Sequence, residues 1–364
     1  MLNSKYPNLE VNLTHLRENV KYYADRCAQQ GIDIAGVVKG THGIAQCVKQ
    51  FEEGGAKQIA SSRIEQLHVA KKYGIKIPLM LIRIPMLSEV KDVVEVCDIS
   101  LNSETAVLEA LNLEAGKAGK VHQVILMADL GDLREGYWNK AELICDAKRV
   151  EFEFDNLELL GIGTNVGCYG SIMPTKEKLD ELVELAEDVE KEIGRKLRYI
   201  SGGATSSVMR IFDGDMPERI NHLRLGESIL LSWDLDHLYH YDVSELHQDV
   251  YTVKAEVIEV KEKPSYPVGR IGFDAFGHRQ TYTDRGIRKR ALLGLGKVDI
   301  GECEAVKPRD EGIEVLGGSS DHLIIDVEEL GHDISVGDIF EFDVNYTALV
   351  HLTSSKNVKV TFVE

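Results

Sequence analysis

The chain has 364 residues, with 60 Asp and Glu against 42 Lys and Arg, which gives a formal net charge of −18. This length fits one large barrel with a smaller domain, or two medium-sized domains. The acidic balance argues against nucleic acid as a partner.

Cysteine usage and the N-terminal sequence indicate the compartment. The six cysteines lie without Cys-x-x-Cys pairs or histidines at zinc spacing, which predicts reduced thiols and no metal site. Residues 1–7 lack the apolar core of a secretion signal, and no apolar run is long enough to span a bilayer. We therefore expect a cytoplasmic protein with no membrane partner.

Short apolar runs and amphipathic helices alternate through the first two thirds of the chain. After a strand at 8–13 and a helix that stops at Gly31, strands are predicted at 34–38, near Ile59, at 78–82, near Ile99, at 124–127, at 159–163, near 199–200 and near Leu223. Helices are predicted at 63–73, 89–96 and 175–193. About eight βα units of this kind predict a (β/α)8 barrel of the TIM type over residues 12–241.

The sequence changes character after Asp242. Apolar and polar residues alternate at 251–260, and extended segments are predicted at 290–295, 322–327, 339–344 and 358–362. This pattern, with almost no helical period, predicts a C-terminal mainly-β domain over 242–364. We expect the N-terminal strand segment 1–11 to join it.

Lys39 ends the apolar run that begins at Ile34. A lysine walled by apolar residues at a strand end loses hydration, so its pKa falls and its neutral amine can form a Schiff base with a carbonyl. The alternative is a lysine that simply reaches from the strand end into solvent. Active sites of such barrels lie at the C-terminal ends of the strands. The predicted strand ends carry Lys39, Arg134, Asn165, Ser201, Gly202, Gly203 and Arg224.

Two consecutive predicted loops resemble phosphate cradles. Residues 201–207, Ser-Gly-Gly-Ala-Thr-Ser-Ser, offer backbone N–H groups and hydroxyls, and residues 224–228, Arg-Leu-Gly-Glu-Ser, repeat the arrangement. Barrel phosphate sites often form at the last two strands. With a lysine at another strand end, the loops favour pyridoxal 5'-phosphate (PLP) as cofactor. The residues expected to bind it are Lys39, Asn165, Ser201, Gly203, Thr205, Ser206, Arg224, Gly226 and Glu227.

Several motifs together resemble the alanine racemase superfamily over nearly the whole chain. They are Val-Val-Lys at 37–39, Leu-Gly-Asp-Leu-Arg-Glu-Gly at 130–136, Gly-Ile-Gly-Thr-Asn at 161–165, Arg-Leu-Gly at 224–226, Ser-Asp at 320–321 and Asn-Tyr at 345–346. The segments 284–291 and 316–324 are most similar to the predicted amino-acid racemase branch, which includes ornithine racemase.

The resemblance implies roles for individual residues. Lys39 would carry the cofactor and act as one of two bases, and Arg224 would face the pyridine nitrogen and keep it unprotonated. Arg134 would bind the substrate carboxylate, and Asp321 would also contact substrate. The alternatives are a structural salt bridge for Arg224 and a surface ion pair with Asp132 or Glu135 for Arg134.

The chain also departs from the family pattern. Gly43 and Ser354 stand where many alanine racemases have phosphate-contacting tyrosines, Met127 replaces a modified lysine, and Asn165 replaces a histidine that stacks on the ring. We therefore expect cofactor binding to depend more on backbone N–H groups and on Ser206.

The second base differs from the family as well. In Gly296-Lys297-Val298-Asp299, a lysine takes the place of the tyrosine that the partner subunit supplies in alanine racemases. Lys297 is our hypothesis for this base, with an interface lysine as the alternative. Other candidates are Tyr282, Tyr346, Cys168 and His322. The family pattern implies a head-to-tail homodimer with shared active sites.

The resulting expectation is a PLP-dependent amino-acid racemase. Ornithine is the preferred substrate, on the branch resemblance and the acidic residues Asp132 and Glu135 beside Arg134. Alanine, lysine, arginine and serine are alternative substrates. A PLP carrier without racemase activity and a decarboxylase of this fold are the competing classes. The long β domain argues against a carrier, and Arg224 argues against a decarboxylase.

Overall fold

A computed structural model describes residues 5–364 of the protein. The chain forms two compact units, one of which is Thr14–His247. The other joins the N-terminal residues up to Leu13 to Gln248–Glu364. Strand β1 (Asn8–Asn12) and helix α1 (Leu13–Ala28) come first. Residues 1–4, on which the targeting expectation and part of the predicted segment 1–11 fall, lie outside the described residues.

The Thr14–His247 unit contains a closed barrel of eight parallel strands, with β9 paired back to β2. The barrel strands are β2 (Asp33–Val37), β3 (Gln58–Ser61), β4 (Leu79–Leu81), β5 (Ile99–Asn102), β6 (His122–Ala128), β7 (Leu157–Thr164), β8 (Tyr199–Ser201) and β9 (His222–Leu225). The α-helices between and after them are α2 (Ala45–Glu53), α3 (Ile64–Tyr73), α4 (Val90–Val96), α5 (Thr105–Lys117), α6 (Lys140–Phe152), α7 (Lys176–Ile193), α8 (Met209–Asp213), α9 (Glu227–Leu230) and α10 (Trp233–His237).

Packing on both sides of the strands explains their apolar sequences. In β2, Gly36 leaves room for helix α2, because a Cβ at this position would lie only 2.3 Å from Phe51 Cδ1. The alternate residues of β2, Ala35 and Val37, belong to a buried cluster with apolar side chains of six other barrel strands. A filled barrel leaves the strand ends as the place for a site. The predicted (β/α)8 barrel is confirmed.

The second unit is built on an antiparallel sheet in the order β12-β15-β10-β11-β14-β13. Strand β1 pairs with β10 antiparallel and with β16 parallel. The predicted mainly-β C-terminal domain is confirmed. Its strands are β10 (Tyr251–Pro264), β11 (Ile287–Leu293), β12 (Val306–Pro308), β13 (Glu314–Gly318), β14 (Leu323–Asp326), β15 (Ile339–Val344) and β16 (Lys359–Val363), and its α-helices are α11 (Lys297–Ile300) and α12 (Tyr346–Ser354).

Helix α12 corrects the expectation that this domain has almost no helical period. The Asn345 side chain caps it by accepting a hydrogen bond of 3.1 Å from the Ala348 backbone N–H. Leu349 and Leu352 lie buried on one face, at helical spacing. In residues 5–364, no helix is both long enough and apolar enough to cross a membrane.

Candidate active site

Lys39 lies just beyond the C-terminal end of β2, as the first residue of a 3-10 turn over Lys39–Thr41. Its side chain is exposed, yet enough protein surrounds the amine that the loss of hydration lowers its pKa. Cys168 and Glu135 act to raise the pKa of the amine, whereas Arg134 and Arg224 act to lower it, so these electrostatic effects partly offset one another. The direction of this pKa shift is the one expected from the sequence.

Arg224 lies on β9 and is almost completely buried, with 3% of its surface exposed. Its guanidinium donates to Ser201 Oγ on β8 and, over 2.7 Å, to the Thr164 carbonyl on β7. No carboxylate of residues 5–364 lies within ion-pair distance, so the expected alternative of a structural salt bridge is absent from this part of the chain. Burial lowers the pKa of Arg224 to about 10, so the group stays cationic at neutral pH.

Asn165 directly follows β7 and is buried. Among the described residues, its Nδ2 atom has no hydrogen-bond partner. A buried amide N–H₂ without an acceptor is costly, and such groups usually find one in water or a ligand. Asn165 therefore offers a donor to a bound molecule at the end of β7.

The two predicted cradles touch each other. The Thr205 hydroxyl lies 3.3 Å from Ser228 Oγ and accepts a hydrogen bond of 3.2 Å from the Ser228 backbone N–H. Gly203 has a φ of +121°, and a Cβ there would lie 2.4 Å from Ser207 Oγ. The Ser206 hydroxyl donates to the Val166 carbonyl over 2.8 Å. The loops after β7, β8 and β9 are thus tied together, and glycine keeps the loop after β8 narrow.

The Glu227 carboxylate accepts hydrogen bonds from backbone groups outside the two cradles. Its Oε1 accepts hydrogen bonds from the Trp233 and Asp234 backbone N–H groups, over 2.9 and 3.2 Å, at the start of α10. Burial is the main cause that raises the pKa of Glu227 to about 7, with the nearby Asp234 carboxyl adding to it. The Glu227 carboxyl therefore serves the turn into α10.

We expect Glu227→Gln to change the pH dependence of stability. Its pKa is about 7 when folded against a usual 4.5, so the folded state holds an extra proton between these values. The free energy of unfolding of the wild type therefore falls across this range, and stability is lost as pH rises. The variant should gain roughly 2–3 kcal/mol relative to wild type between about pH 5 and about pH 8, measured by denaturant unfolding. The exposed residue Glu184 on α7 provides the control, and the stability of Glu184→Gln should depend on pH as that of the wild type does. A stability profile of Glu227→Gln parallel to that of the wild type would contradict the assignment of the raised pKa to Glu227.

The loop after β6 carries Arg134, which is exposed and ion-paired with Glu135, with Nη2 to Oε1 at 2.5 Å. The alternative of a surface ion pair therefore describes the Arg134 contact in this structure. Lys39 and Cys168 both lie within electrostatic reach of Arg134. Arg134 would have to exchange Glu135 for a substrate carboxylate on binding.

Asp132 links the loop after β6 to the loop after β7, a role that its sequence motif does not reveal. Its buried carboxylate accepts hydrogen bonds from the backbone N–H groups of Gly167, Tyr169 and Ile172, over 3.0, 3.0 and 3.4 Å. Although burial acts in the opposite direction, these donors hold the pKa of Asp132 below its usual range. Because it is committed to backbone donors, Asp132 does not supply the free acidic flank for substrate that the sequence suggested.

The remaining predicted residues belong to the other unit. Lys297 begins α11, and its Nζ lies 4.3 Å from the centroid of the Phe276 ring. Asp321 is exposed and accepts a hydrogen bond of 2.6 Å from Ser320 Oγ. The structure therefore gathers Lys39, Arg134, Asn165, Ser201 and Arg224 at the C-terminal end of the barrel, whereas Lys297 and Asp321 lie on a separate unit.

The alternative candidates for a second base are divided in the same way. Cys168 is exposed and lies on the barrel unit, within electrostatic reach of Lys39. Tyr282, His322 and Tyr346 lie on the mainly-β unit. His322 Nδ1 is 3.3 Å from Ser319 Oγ.

Comparison with known proteins places this chain among related sequences. The family described as alanine racemase, N-terminal domain, matches residues 11–232. The ornithine racemase of Acetoanaerobium sticklandii is 41% identical over 97% of this chain and 99% of its own length. The lysine racemase of Thermotoga maritima is 38% identical over 98% of each chain.

The fold has solved counterparts. The crystal structure of alanine racemase from D-cycloserine-producing Streptomyces lavendulae matches with a TM-score of 0.76 over 98% of this chain and 97% of that one, at 18% identity. That likeness shows the shared barrel and β domain. With the family match over more than half of the sequence, and two racemases matched over nearly the full length, the chain belongs to the alanine racemase N-terminal domain family and is an amino-acid racemase.

Proposed function

We propose that this chain is a PLP-dependent racemase that interconverts L- and D-ornithine. The observation that carries the cofactor assignment is the pairing of Lys39, whose pKa is lowered, with the buried Arg224 cation at one end of the barrel. The substrate assignment rests on the ornithine racemase that is 41% identical over nearly the whole chain.

The residues at the barrel end fit PLP. The buried Asn165 Nδ2 is an unused donor among the described residues, and Gly203 lets the loop after β8 turn tightly against Ser207 Oγ at a φ of +121°. Lys39 would hold the cofactor covalently, and the ring would meet Asn165 and Arg224. The phosphate would meet the loops that carry Ser201, Gly203, Thr205, Ser206, Gly226 and Glu227. Bound PLP supplies an electron sink that makes the α-proton of an amino acid acidic.

Arg224 would face the pyridine nitrogen as a permanent cation. A guanidinium can donate a hydrogen bond but cannot accept a proton from a ring N–H, so the nitrogen stays unprotonated. This limits the electron sink and favours return of the proton over side reactions. The same argument disfavours a decarboxylase, which commonly places a carboxylate there.

Proton transfer needs one base on each face of the substrate α-carbon. Lys39 is the first, because a lowered pKa increases the fraction of neutral amine at neutral pH. We keep Lys297, supplied by a second copy of the chain in a head-to-tail homodimer, as the proposed second base. Tyr282, Tyr346, Cys168 and His322 remain alternatives. Arg134 would bind the substrate carboxylate, and Asp321 would contact the substrate.

The compartment and the domain division stay part of the proposal. We expect residues 12–241 to bind the cofactor and residues 242–364 to complete the active site of a partner. No disulfide joins the six cysteines, all of which lie within the described residues, and this supports the predicted cytoplasmic location. The lysine racemase that is 38% identical makes lysine the first alternative substrate, ahead of alanine, arginine and serine.

The substrate is tested by incubating the PLP-loaded protein with single enantiomers of ornithine, lysine, alanine, arginine and serine in D₂O. Loss of the α-proton signal and decay of optical rotation should be fastest for ornithine, from either enantiomer. A protein that exchanged no α-proton would be a carrier, and one that released carbon dioxide would be a decarboxylase. Faster turnover of lysine would replace ornithine as the substrate.

The second base is tested with Lys297→Ala. We expect exchange of the α-proton to survive from one enantiomer only, because Lys39 serves a single face, and racemisation to fall by about 10²–10⁴-fold. Exchange retained from both enantiomers would remove Lys297 from the mechanism. Cys168→Ser, assayed in parallel, examines the candidate on the barrel unit.

A further inference from the structure

A chain of polar side chains runs from the active-site end of the barrel toward its opposite end. Ser201 and Arg224 are the third residues of β8 and β9, whereas Asp33, Gln58, Tyr199 and His222 are each the first residue of their strand. His222 and Arg224 share one face of β9 because side chains alternate along a strand. Asp33, Gln58, Tyr199 and His222 therefore lie nearer the N-terminal ends of the barrel strands than Arg224 does.

These side chains are joined end to end. Arg224 Nη1 donates to Ser201 Oγ, which is 2.8 Å from His222 Nδ1. His222 Nε2 is 3.2 Å from Gln58 Oε1. Gln58 Nε2 then donates to Tyr199 Oη over 3.0 Å, and Tyr199 donates to Asp33 Oδ2 over 3.0 Å.

The Asp33 end sets the direction of the hydrogen bonds. A carboxylate only accepts, so Tyr199 donates to Asp33, Gln58 donates to Tyr199 through Nε2, and Gln58 Oε1 accepts from a neutral His222. This requires a proton on His222 Nε2 and a lone pair on Nδ1. His222 is fully buried, and burial lowers its pKa to about 3, so it stays neutral in this single tautomer.

We propose that this hydrogen-bond chain fixes the orientation of the Arg224 guanidinium and that His222 is the positioning residue at its centre. Arg224 has only Ser201 Oγ and the Thr164 carbonyl as hydrogen-bond acceptors among the described residues. The Ser201 hydroxyl donates its hydrogen bond to His222 Nδ1, which leaves the Ser201 lone pairs oriented to accept from Arg224 in one geometry. The proposal rests on the proposed function, in which Arg224 faces the PLP ring nitrogen.

The barrel contains a second buried histidine, His122, that takes no part in the hydrogen-bond chain from Arg224 to Asp33 and can serve as a control. His122 is the first residue of β6, is 2% exposed, and its Nε2 lies 2.8 Å from Ser100 Oγ. Ser100 Oγ in turn accepts from Asn102 Nδ2 over 2.9 Å. Replacing His122 therefore removes a buried imidazole and its contact with a serine, but leaves the hydrogen bonds between Arg224 and Asp33 in place.

The test compares binding of PLP with binding of its deaza analogue, in which C–H replaces the ring nitrogen, to the full-length chain freed of cofactor. The ratio of the two dissociation constants reports whether Arg224 meets the nitrogen, independently of turnover. We expect the wild type to prefer PLP by about tenfold or more. His222→Phe should reduce this preference to less than about threefold, whereas His122→Phe should retain the wild-type ratio.

The outcomes separate this inference from the proposed function. A wild type that fails to bind PLP, or binds both compounds equally, would contradict the placement of Arg224 in the proposed function. A wild-type preference kept in His222→Phe, or lost equally in His122→Phe, would overturn the positioning role alone. If His222→Phe does not fold, Tyr199→Phe interrupts the hydrogen-bond chain by removing a single oxygen atom. An unchanged preference for PLP in Tyr199→Phe would likewise contradict the positioning role.

Nitrogen-15 NMR of the wild type checks the hydrogen-bond direction without a variant. The His222 imidazole should carry its proton on Nε2, with Nδ1 unprotonated. A proton on Nδ1 would leave the Ser201 hydroxyl without its acceptor on His222 and would overturn the proposal.

Discussion

Lys39→Ala should abolish covalent attachment of PLP and lower the rate of ornithine racemisation by about 10³-fold or more. The variant removes both the amine that holds the cofactor and the proposed base on one face of the substrate. Lys39→Arg should be equally inactive, because a guanidinium keeps the positive charge but neither forms the linkage nor gives up its proton at neutral pH. Steady-state rates from each enantiomer and the yellow absorbance of the loaded protein measure the two losses.

The matched control for Lys39 is Lys148→Ala. Lys148 lies exposed on α6 and pairs with Glu192 over 2.8 Å, so its removal should leave activity and colour unchanged. A Lys39→Ala enzyme that lost less than about tenfold in rate would show that this amine is not the base.

Asp132→Asn should destabilise the protein by roughly 2–4 kcal/mol. The buried carboxylate accepts from three backbone N–H groups of the loop after β7, and an amide replaces one acceptor oxygen with a competing donor. Since the loops that carry Arg134 and Cys168 meet at Asp132, we also expect faster proteolysis at 167–172 and a higher KM for ornithine.

Denaturant unfolding and limited proteolysis measure these effects. The exposed turn residue Asp155 provides the control, and Asp155→Asn should change stability by less than about 0.5 kcal/mol. If Asp132→Asn were as stable as this control, with an unchanged cleavage rate at 167–172, Asp132 would not fasten the two loops.

The barrel was predictable because its strands are short apolar runs separated by amphipathic helices. The run before Lys39 is an example, since Gly36 faces helix α2 while Ala35 and Val37 face the barrel interior. Helix α12 escaped prediction because one capped helix is brief beside the long alternating strands around it. Its Asn345 cap and the Leu349 and Leu352 spacing were nevertheless a usable signal.

The positions of Lys39 and Arg224 at the C-terminal end of the barrel were predictable, because they follow directly from the predicted strand ends. Roles that depend on closure of the barrel were not. The contacts from His222 to Gln58 and from Tyr199 to Asp33 join residues more than 160 positions apart in the sequence. Glu227 shows a further limit, because a motif locates a loop but not the direction in which its carboxyl turns.

The central claim is that the Lys39 amine at the barrel end carries PLP. Reducing the purified PLP-loaded protein with borohydride makes a lysine linkage permanent, and peptide mass spectrometry then identifies the modified residue. We predict the pyridoxyl group on the peptide that contains Lys39 and on no other lysine. A label on another residue, or none after successful loading with PLP, would contradict the account.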